Sequence, residues 1–309
     1  MPDELDLSKL KRYSIRQRKN LVSETDFARL PEPGATVDEF IASLPGILAG
    51  RDFKEVVARL RAIIDADGPI ALAMGAHVIK CGLSPVVTDL VRRGIVTSVA
   101  LNGAGAIHDY EIALIGQTSE DVERELPSGR FGMARETAEV FASAARIARE
   151  KRLGLGAVLG SHIVEDDLPH RALSILASAA EMEVPATVHV AIGTDVVHMH
   201  PEADGADIGA ATMEDFRTVC RVVAGLGKGA WLNVGSAVIL PEVFLKAVSV
   251  AHNLGADLDG LLTVNFDMFD LYRPRINVVN RPAARGYQII GRHEITLPLL
   301  RMALISPSA

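Results

Sequence analysis

Cysteine is nearly absent, with only Cys81 and Cys220 in 309 residues. Two isolated thiols build neither a disulfide framework nor a zinc knuckle, so the chain is expected in a reducing, cytoplasmic compartment. Aromatic residues make up only 5%, so the core has to be packed from Ala, Val, Leu and Ile, which suits helices laid on a buried parallel sheet. No apolar run approaches the ~18 uninterrupted residues of a membrane helix. The N-terminus, with Asp3, Glu4 and Asp6, carries no apolar leader region. Excess positive charge is missing too. At a formal charge of −7, bulk electrostatics give no attraction to nucleic acid or an anionic membrane. The local exception is the run Lys9, Lys11, Arg12, Arg16, Arg18 and Lys19, which reads as a solvated arm or a subunit contact.

The sequence does hold a regular alternation of short apolar runs and helical segments from about residue 52. Strands are predicted at Pro69–Met74, Val96–Leu101, Gly156–Leu159, Ala186–Ile192, Ala230–Val234 and Gly260–Asn265. Helices are predicted over 53–66, 83–93, 132–150, 170–182, 213–224, 242–254 and 295–304. This is the signature of βαβ units. The expected fold is α/β, a doubly wound and mostly parallel Rossmann-like sheet. Residues 1–50 read as an N-terminal arm and 51–309 as a single domain.

In such folds ligands bind outside the carboxyl ends of the strands. Five segments place small residues there: Gly75-Ala76-His77; Asn102-Gly103-Ala104-Gly105-Ala106-Ile107-His108-Asp109-Tyr110-Glu111; Gly160-Ser161-His162; Gly193-Thr194-Asp195; and Asn233-Val234-Gly235-Ser236-Ala237. Glycine lets a backbone approach phosphate closely and leaves N–H groups free to point at it. Tight turns need glycine in any case, but five successive strand ends favour a nucleotide site. Cofactor contacts are therefore expected at Gly75, His77, Asn102, Gly103, Gly105, Glu111, Gly160, Ser161, Thr194, Gly235 and Ser236. Proton transfer is expected from His108, Asp109, Asp195, His198 and His200, with helix capping as the plainer reading of Asp109. His198 and His200 alternate as on a strand. No third ligand is evident, so no metal site is expected.

At these residues the chain resembles the deoxyhypusine synthase family over roughly residues 50–305, in order and spacing more than in identity. "GLSPVVTDLVRRGIVTSVALNGAGAIHDYEIAL", "EVPATVHVAIGTDVVHMHP", "NVGSAVILPEVFLKA" and "EITLPLLRMAL" are similar to its segments. Gly103, Gly105, Asp109, Thr194, Asp195, Gly235 and Asp267 carry the match. The resemblance implies an NAD-binding fold of that type and a homotetramer. It also implies a transferase that moves the aminobutyl group of the polyamine spermidine onto a lysine of a protein substrate. One departure bears on the chemistry. The family's Trp-Gly-Lys motif, whose lysine forms an imine, is missing, and residues 247–309 contain no lysine. Arginine cannot replace it, because it stays protonated.

The expectation is therefore an NAD-dependent enzyme that keeps the fold and changes the chemistry. Its small polar or amine substrate would be held by Asp267, Asp270, Glu242 and Glu294, since a buried ammonium must be paired. Two alternatives stand beside it. One is a true aminobutyltransferase using Lys246 or Lys80, and the other is a dinucleotide-binding sensor or scaffold without turnover. Neither nucleic acid nor membrane is an expected partner.

Overall fold

The computed structural model describes residues 5–282 and 285–306. Residues 5–30 form an arm with only three short 3-10 turns. Leu7, Leu10, Tyr13, Leu21 and Leu30 are among its exposed apolar side chains. The body begins earlier than the expected boundary at residue 50. Helix α1 (Val37–Ser43) already buries Ile41 in the core. Its Asp38 pairs with Arg61 of α2 (Leu48–Asp65) at 2.5 Å.

The chain then alternates as the patterning predicts. Strand β1 (Ile70–Met74) leads to a single turn, α3 (His77–Lys80), and to α4 (Ser84–Arg92). After β2 (Ser98–Asn102) come α5 (Gly103–Ile115), α6 (Val122–Glu125), α7 (Arg135–Lys151), α8 (Leu155–Glu165) and α9 (Ile175–Glu181). Then follow β3 (Ala186–His189), α10 (Gly205–Ala224), β4 (Ala230–Val234), α11 (Ile239–Asn253) and β5 (Leu262–Asp267). The short α12 (Tyr272–Pro274) runs into a π-helical turn (Arg275–Asn280), which leads to β6 (Gly286–Ile290) and α13 (His293–Ile305).

All strand pairings are parallel, in the order β3-β2-β1-β4-β5-β6. This is the doubly wound topology, and the order reverses between β1 and β4. Strands β1 to β5 are largely buried on both faces, but the faces differ in size. Leu72, Met74, Leu101, Val234 and Phe266 fill one. On the other, Ala71, Ala73 and Ala100 lie in a second core with Trp231, Leu240 and Phe244. There Trp231 stacks on Phe244 with ring centroids 4.4 Å apart. No helix among the described residues is long and apolar enough to cross a membrane.

Two predicted elements are corrected. The run Gly156–Leu159 is not a strand but the first half of α8. A helix buried on most sides reads as a continuous apolar run, and periodicity cannot separate that from a buried strand. A Cβ at Gly156 would lie 2.5 Å from Ala186 O, and one at Gly160 would lie 2.6 Å from Leu176 O. Both glycines therefore serve helix packing. The sixth strand comes instead from residues 286–290, which the pattern left unassigned. In addition, β3 stops at His189, short of the predicted Ile192.

Candidate active site at the carboxyl edge

The topology brings the ends of β1 and β4 together at the reversal. Gly75 N donates to Val234 O at 2.9 Å. A Cβ at Gly75 would stand 2.3 Å from Gly235 O, so the two turns approach as only glycine permits. Gly235 itself has φ +62° and packs against the ring of His293 from the start of α13. Behind this turn lies a row of amides set by strand register. Asn233 donates to Ser236 O at 3.0 Å and to Asn265 Oδ1 at 2.6 Å, and Asn265 donates to Gln288 Oε1 at 3.1 Å.

Several buried polar atoms here have no partner among the described residues: Asn233 Oδ1, Asp267 Oδ2 and His293 Nδ1. Such orphans are scarce in folded proteins. Burial pushes the His293 imidazole below its ordinary value, against the opposing charge of Asp267, with His77 adding to the fall. His77 meets His293 edge-on at 6.0 Å. Asn233 belongs to one of the five strand-end segments, whereas His293 was not legible as a site residue, because no glycine-rich turn marks its position.

A second feature lies on the β2–β3 side. Lys80, Ala104, His108, Glu111, Phe131, Thr194 and Asp195 are among the residues lining an open cleft of about 200 Å³. His108 and Glu111 stand one turn apart on α5. His108 Nδ1 lies 2.6 Å from Thr118 Oγ1, and that hydroxyl donates to Glu111 Oε2. Burial pushes the Glu111 carboxyl up, but the His108 ring 3.7 Å away and the hydrogen bond from Thr118 outweigh it and hold it below the usual range. Asp195 goes the other way. Burial raises it, against the charge of His198 and the Ala104 N–H. Beyond Asp195 a narrower apolar pocket runs between Phe141, Leu155, Val190 and Ile208.

The remaining predicted residues have other work. The Gly-x-Gly-x-x-His segment opens α5, but its N–H groups are already taken. Asn102 accepts from Gly105 N at 3.0 Å and Asp195 accepts from Ala104 N. Gly103 is small because the Asp195 carboxylate would lie 2.0 Å from a Cβ there. Gly103 thus makes room for a carboxylate of its own chain, and Asn102 caps the helix start at Gly105.

Asp109 is fully buried and accepts from Ser174 Oγ, Ile175 N and Leu176 N at 2.6–3.0 Å. It caps α9 and takes no part in the cleft. Gly160 and Ser161 lie inside α8, away from any strand end. His198 and His200 are not on a strand, since Val196–Met199 is a 3-10 turn. His198 Nδ1 accepts from Gly193 N and Asp195 N, and His200 Nε2 donates to Gly132 O at 2.8 Å, so both rings fasten the loop. Glu242 is held by Lys246, Arg273 and Asn277, and Asp270 by Arg275 at 2.8 Å. These two carboxylates are already paired. Glu294 is exposed at the start of α13.

A dinucleotide needs free N–H groups at a helix start. The turn before α11 is one of the helix starts without a side-chain cap on the N-cap residue. Its N-cap, Val238, supplies no side-chain bond. The neutral Ser236 Oγ accepts from Leu240 N at 3.3 Å, so no carboxylate caps this end.

No protein-family profile matches the chain, and no curated protein matches it. Solved structures do. AgrE, solved as a ternary complex with ornithine and NAD+, aligns at 18% identity and TM-score 0.52 over 81% of this chain, which spans only 32% of AgrE. A conserved protein assigned to the LOR/SDH group, from Methanococcus maripaludis, aligns at 16% identity and TM-score 0.53, covering 96% of this chain and 75% of that one. A protein assigned as a deoxyhypusine synthase, from Entamoeba histolytica, aligns at 11% identity and TM-score 0.53, covering 87% and 93%. At these identities the shared property is the fold: the chain has the doubly wound, Rossmann-like architecture common to these three proteins.

Proposed function

We propose that the chain is an NAD-dependent enzyme acting on a small amine or polar substrate. The dinucleotide lies along the carboxyl edge with its phosphates at the Gly235–Ser236 turn, beside Gly75 and His77. The observation that carries this reading is the approach of Gly75 to Gly235 where the strand order reverses, the place where doubly wound folds bind nucleotides. The substrate lies in the neighbouring cleft, with Thr194 at its wall. Asp195 pairs its cationic group and His108 exchanges its proton. The description of AgrE in complex with ornithine and NAD+ supports an amine beside a dinucleotide. The bound cofactor supplies the hydride acceptor. The residues of this chain bind, orient and move the proton.

The test is to denature the purified protein and look for released NAD by liquid chromatography, then to titrate NAD and NADP by calorimetry. Micromolar or tighter binding is expected. Binding of neither overturns the reading and leaves the glycine turns to the fold.

A second reading is favoured by one residue. Lys80 lines the cleft, whereas Lys246 is engaged with Glu242 on the surface of α11. An imine-forming transferase would therefore use Lys80. Borohydride trapping with spermidine and NAD, followed by mass spectrometry, gives an adduct on Lys80 if this holds and none if it does not.

Homo-oligomerisation belongs to the same proposal. The exposed apolar side chains of the basic arm need cover that this chain's own body does not provide. Light scattering of the chain lacking residues 1–30 is expected to show a smaller assembly, and an unchanged mass removes the arm from any such role.

A further inference from the structure

The strongest unexplained arrangement in the cleft is the chain His108–Thr118–Glu111. It is built by local geometry. His108 and Glu111 share a face of α5 at i and i+3. The helix ends at Gly116, whose φ of +69° turns the backbone in the left-handed sense and sends Thr118 back over that face. Thr137 of α7 stands behind, its hydroxyl 3.4 Å from Glu111 Oε1.

We propose that Thr118 and Glu111 are positioning residues that hold His108 in its Nδ1–H form. The bare Nε2 then accepts a proton from an N–H or O–H group of a substrate in the cleft. Proton counting carries this. Glu111 is ionised and can only accept, so the single Thr118 proton goes to it. The Thr118 oxygen then offers His108 only lone pairs, and the 2.6 Å contact requires a proton on Nδ1. A neutral imidazole carries one ring proton, so Nε2 has none. Nε2 also has no hydrogen-bond partner among the described residues, and His108 lines the cleft.

In the transfer, the substrate X–H bond breaks, its electron pair stays on X, and the proton bonds to Nε2. The Nδ1–H bond persists, and the Glu111 charge, relayed through Thr118, favours the cation that forms. The other charged groups lining the cleft are Lys80, which opposes that cation, and Glu120 and Asp195, which favour it. The inference rests on the reading of the cleft as the substrate site.

The test is nitrogen-15 NMR of the histidine rings in the full chain at neutral pH. There are nine histidines, and His108 is assigned by the signal lost in His108→Gln. Nδ1 is expected protonated and Nε2 bare. Thr118→Val is expected to abolish that preference, and Thr118→Ser to keep it. A wild-type ring protonated on Nε2 alone, or on both nitrogens, overturns the proposal, as does a preference unchanged in Thr118→Val. If Thr118→Val does not fold, the wild-type and Thr118→Ser spectra decide. Failure of NAD to bind would remove the proposed function without altering the ring, while NAD binding beside an Nε2–H ring overturns this inference alone. With a substrate found by an amine screen, His108→Gln is expected to lower turnover by about 10²–10⁴-fold. Thr118→Val is expected to lower kcat with KM unchanged, and Thr118→Ser to restore it.

Discussion

The two halves of the sheet treat their helix starts in opposite ways. On the β1–β3 side three helix starts meet carboxyl groups of the chain itself, Asp195 at α5, Asp109 at α9 and Asp215 at α8, while α4 and α7 have no side-chain cap. Each satisfies N–H groups that a helix start leaves open. On the β4–β6 side, α11 and α13 have no side-chain cap on their N-cap residues, and buried polar atoms of Asn233, Asp267 and His293 stand without partners. The first half thus spends most of this capacity on itself, with Asp215 Oδ1 left without a partner among the described residues, and offers a cleft. The second half keeps hydrogen-bonding capacity unspent. An unspent capacity is what a ligand with phosphates and amides would use, which is why the nucleotide is proposed there even though the glycine-rich motif lies in the other half.

The contrast breaks first at Asp109. Asp109→Ala leaves one hydroxyl and two N–H groups buried without acceptors. It is expected to destabilise the protein by roughly 3–5 kcal/mol, measured by denaturant unfolding. A loss under about 1 kcal/mol would mean that the carboxylate caps nothing of consequence.

Next comes Gly75→Ala, which drives a Cβ into Gly235 O. The strand ends must part at a cost of about 1–3 kcal/mol, and NAD affinity should fall with it. Unchanged calorimetry in a folded variant would move the nucleotide site away from the reversal.

The buried carboxylates also set a pH dependence. Burial pushes Asp215 up to about 8 and Asp109 up to about 6, against the N–H groups that they accept from and, for Asp109, the Ser174 hydroxyl. In the unfolded chain both lie near 3.9. The folded form therefore holds more protons between these values. The stability these groups contribute is complete below about pH 4 and is lost as pH rises through about 6 for Asp109 and about 8 for Asp215. Asp215→Asn should flatten the fall between pH 5 and 8 by up to about 4 kcal/mol, read from unfolding curves at both pH values. A wild-type stability that rises over that range would contradict the assignment.

The smallest effect is on the open side. Ser236→Ala removes the hydroxyl that accepts from Leu240 N, and about 0.5–1 kcal/mol is expected. A much larger loss would show that α11 depends on its cap as the helices of the other half do.

Much of the architecture was legible in the chain, for reasons tied to particular elements. The runs at 70–74, 98–102, 230–234 and 262–267 are short and apolar, and a parallel sheet buried on both faces demands that pattern. Where burial was equally complete around a helix, at 155–165, the same cue misled, and β6 is not legible because half-buried Gly286 and Gln288 break its apolar run. His108, Glu111 and Asp195 were legible as polar residues near strand ends, and they do line one cleft. Thr118 was not, because it acts only once Gly116 has turned the chain back onto α5.

What the sequence determined by itself is the class of fold, through periodicity, and the supply of glycines that close turns require. What only the tertiary structure decided is what each glycine is small for. Gly103 yields to Asp195, Gly160 to α9 and Gly75 to Gly235, three partners far apart in the chain. A local pattern records that a residue must be small. The reason lies in the atom that approaches it, and only the packing of distant segments supplies that atom.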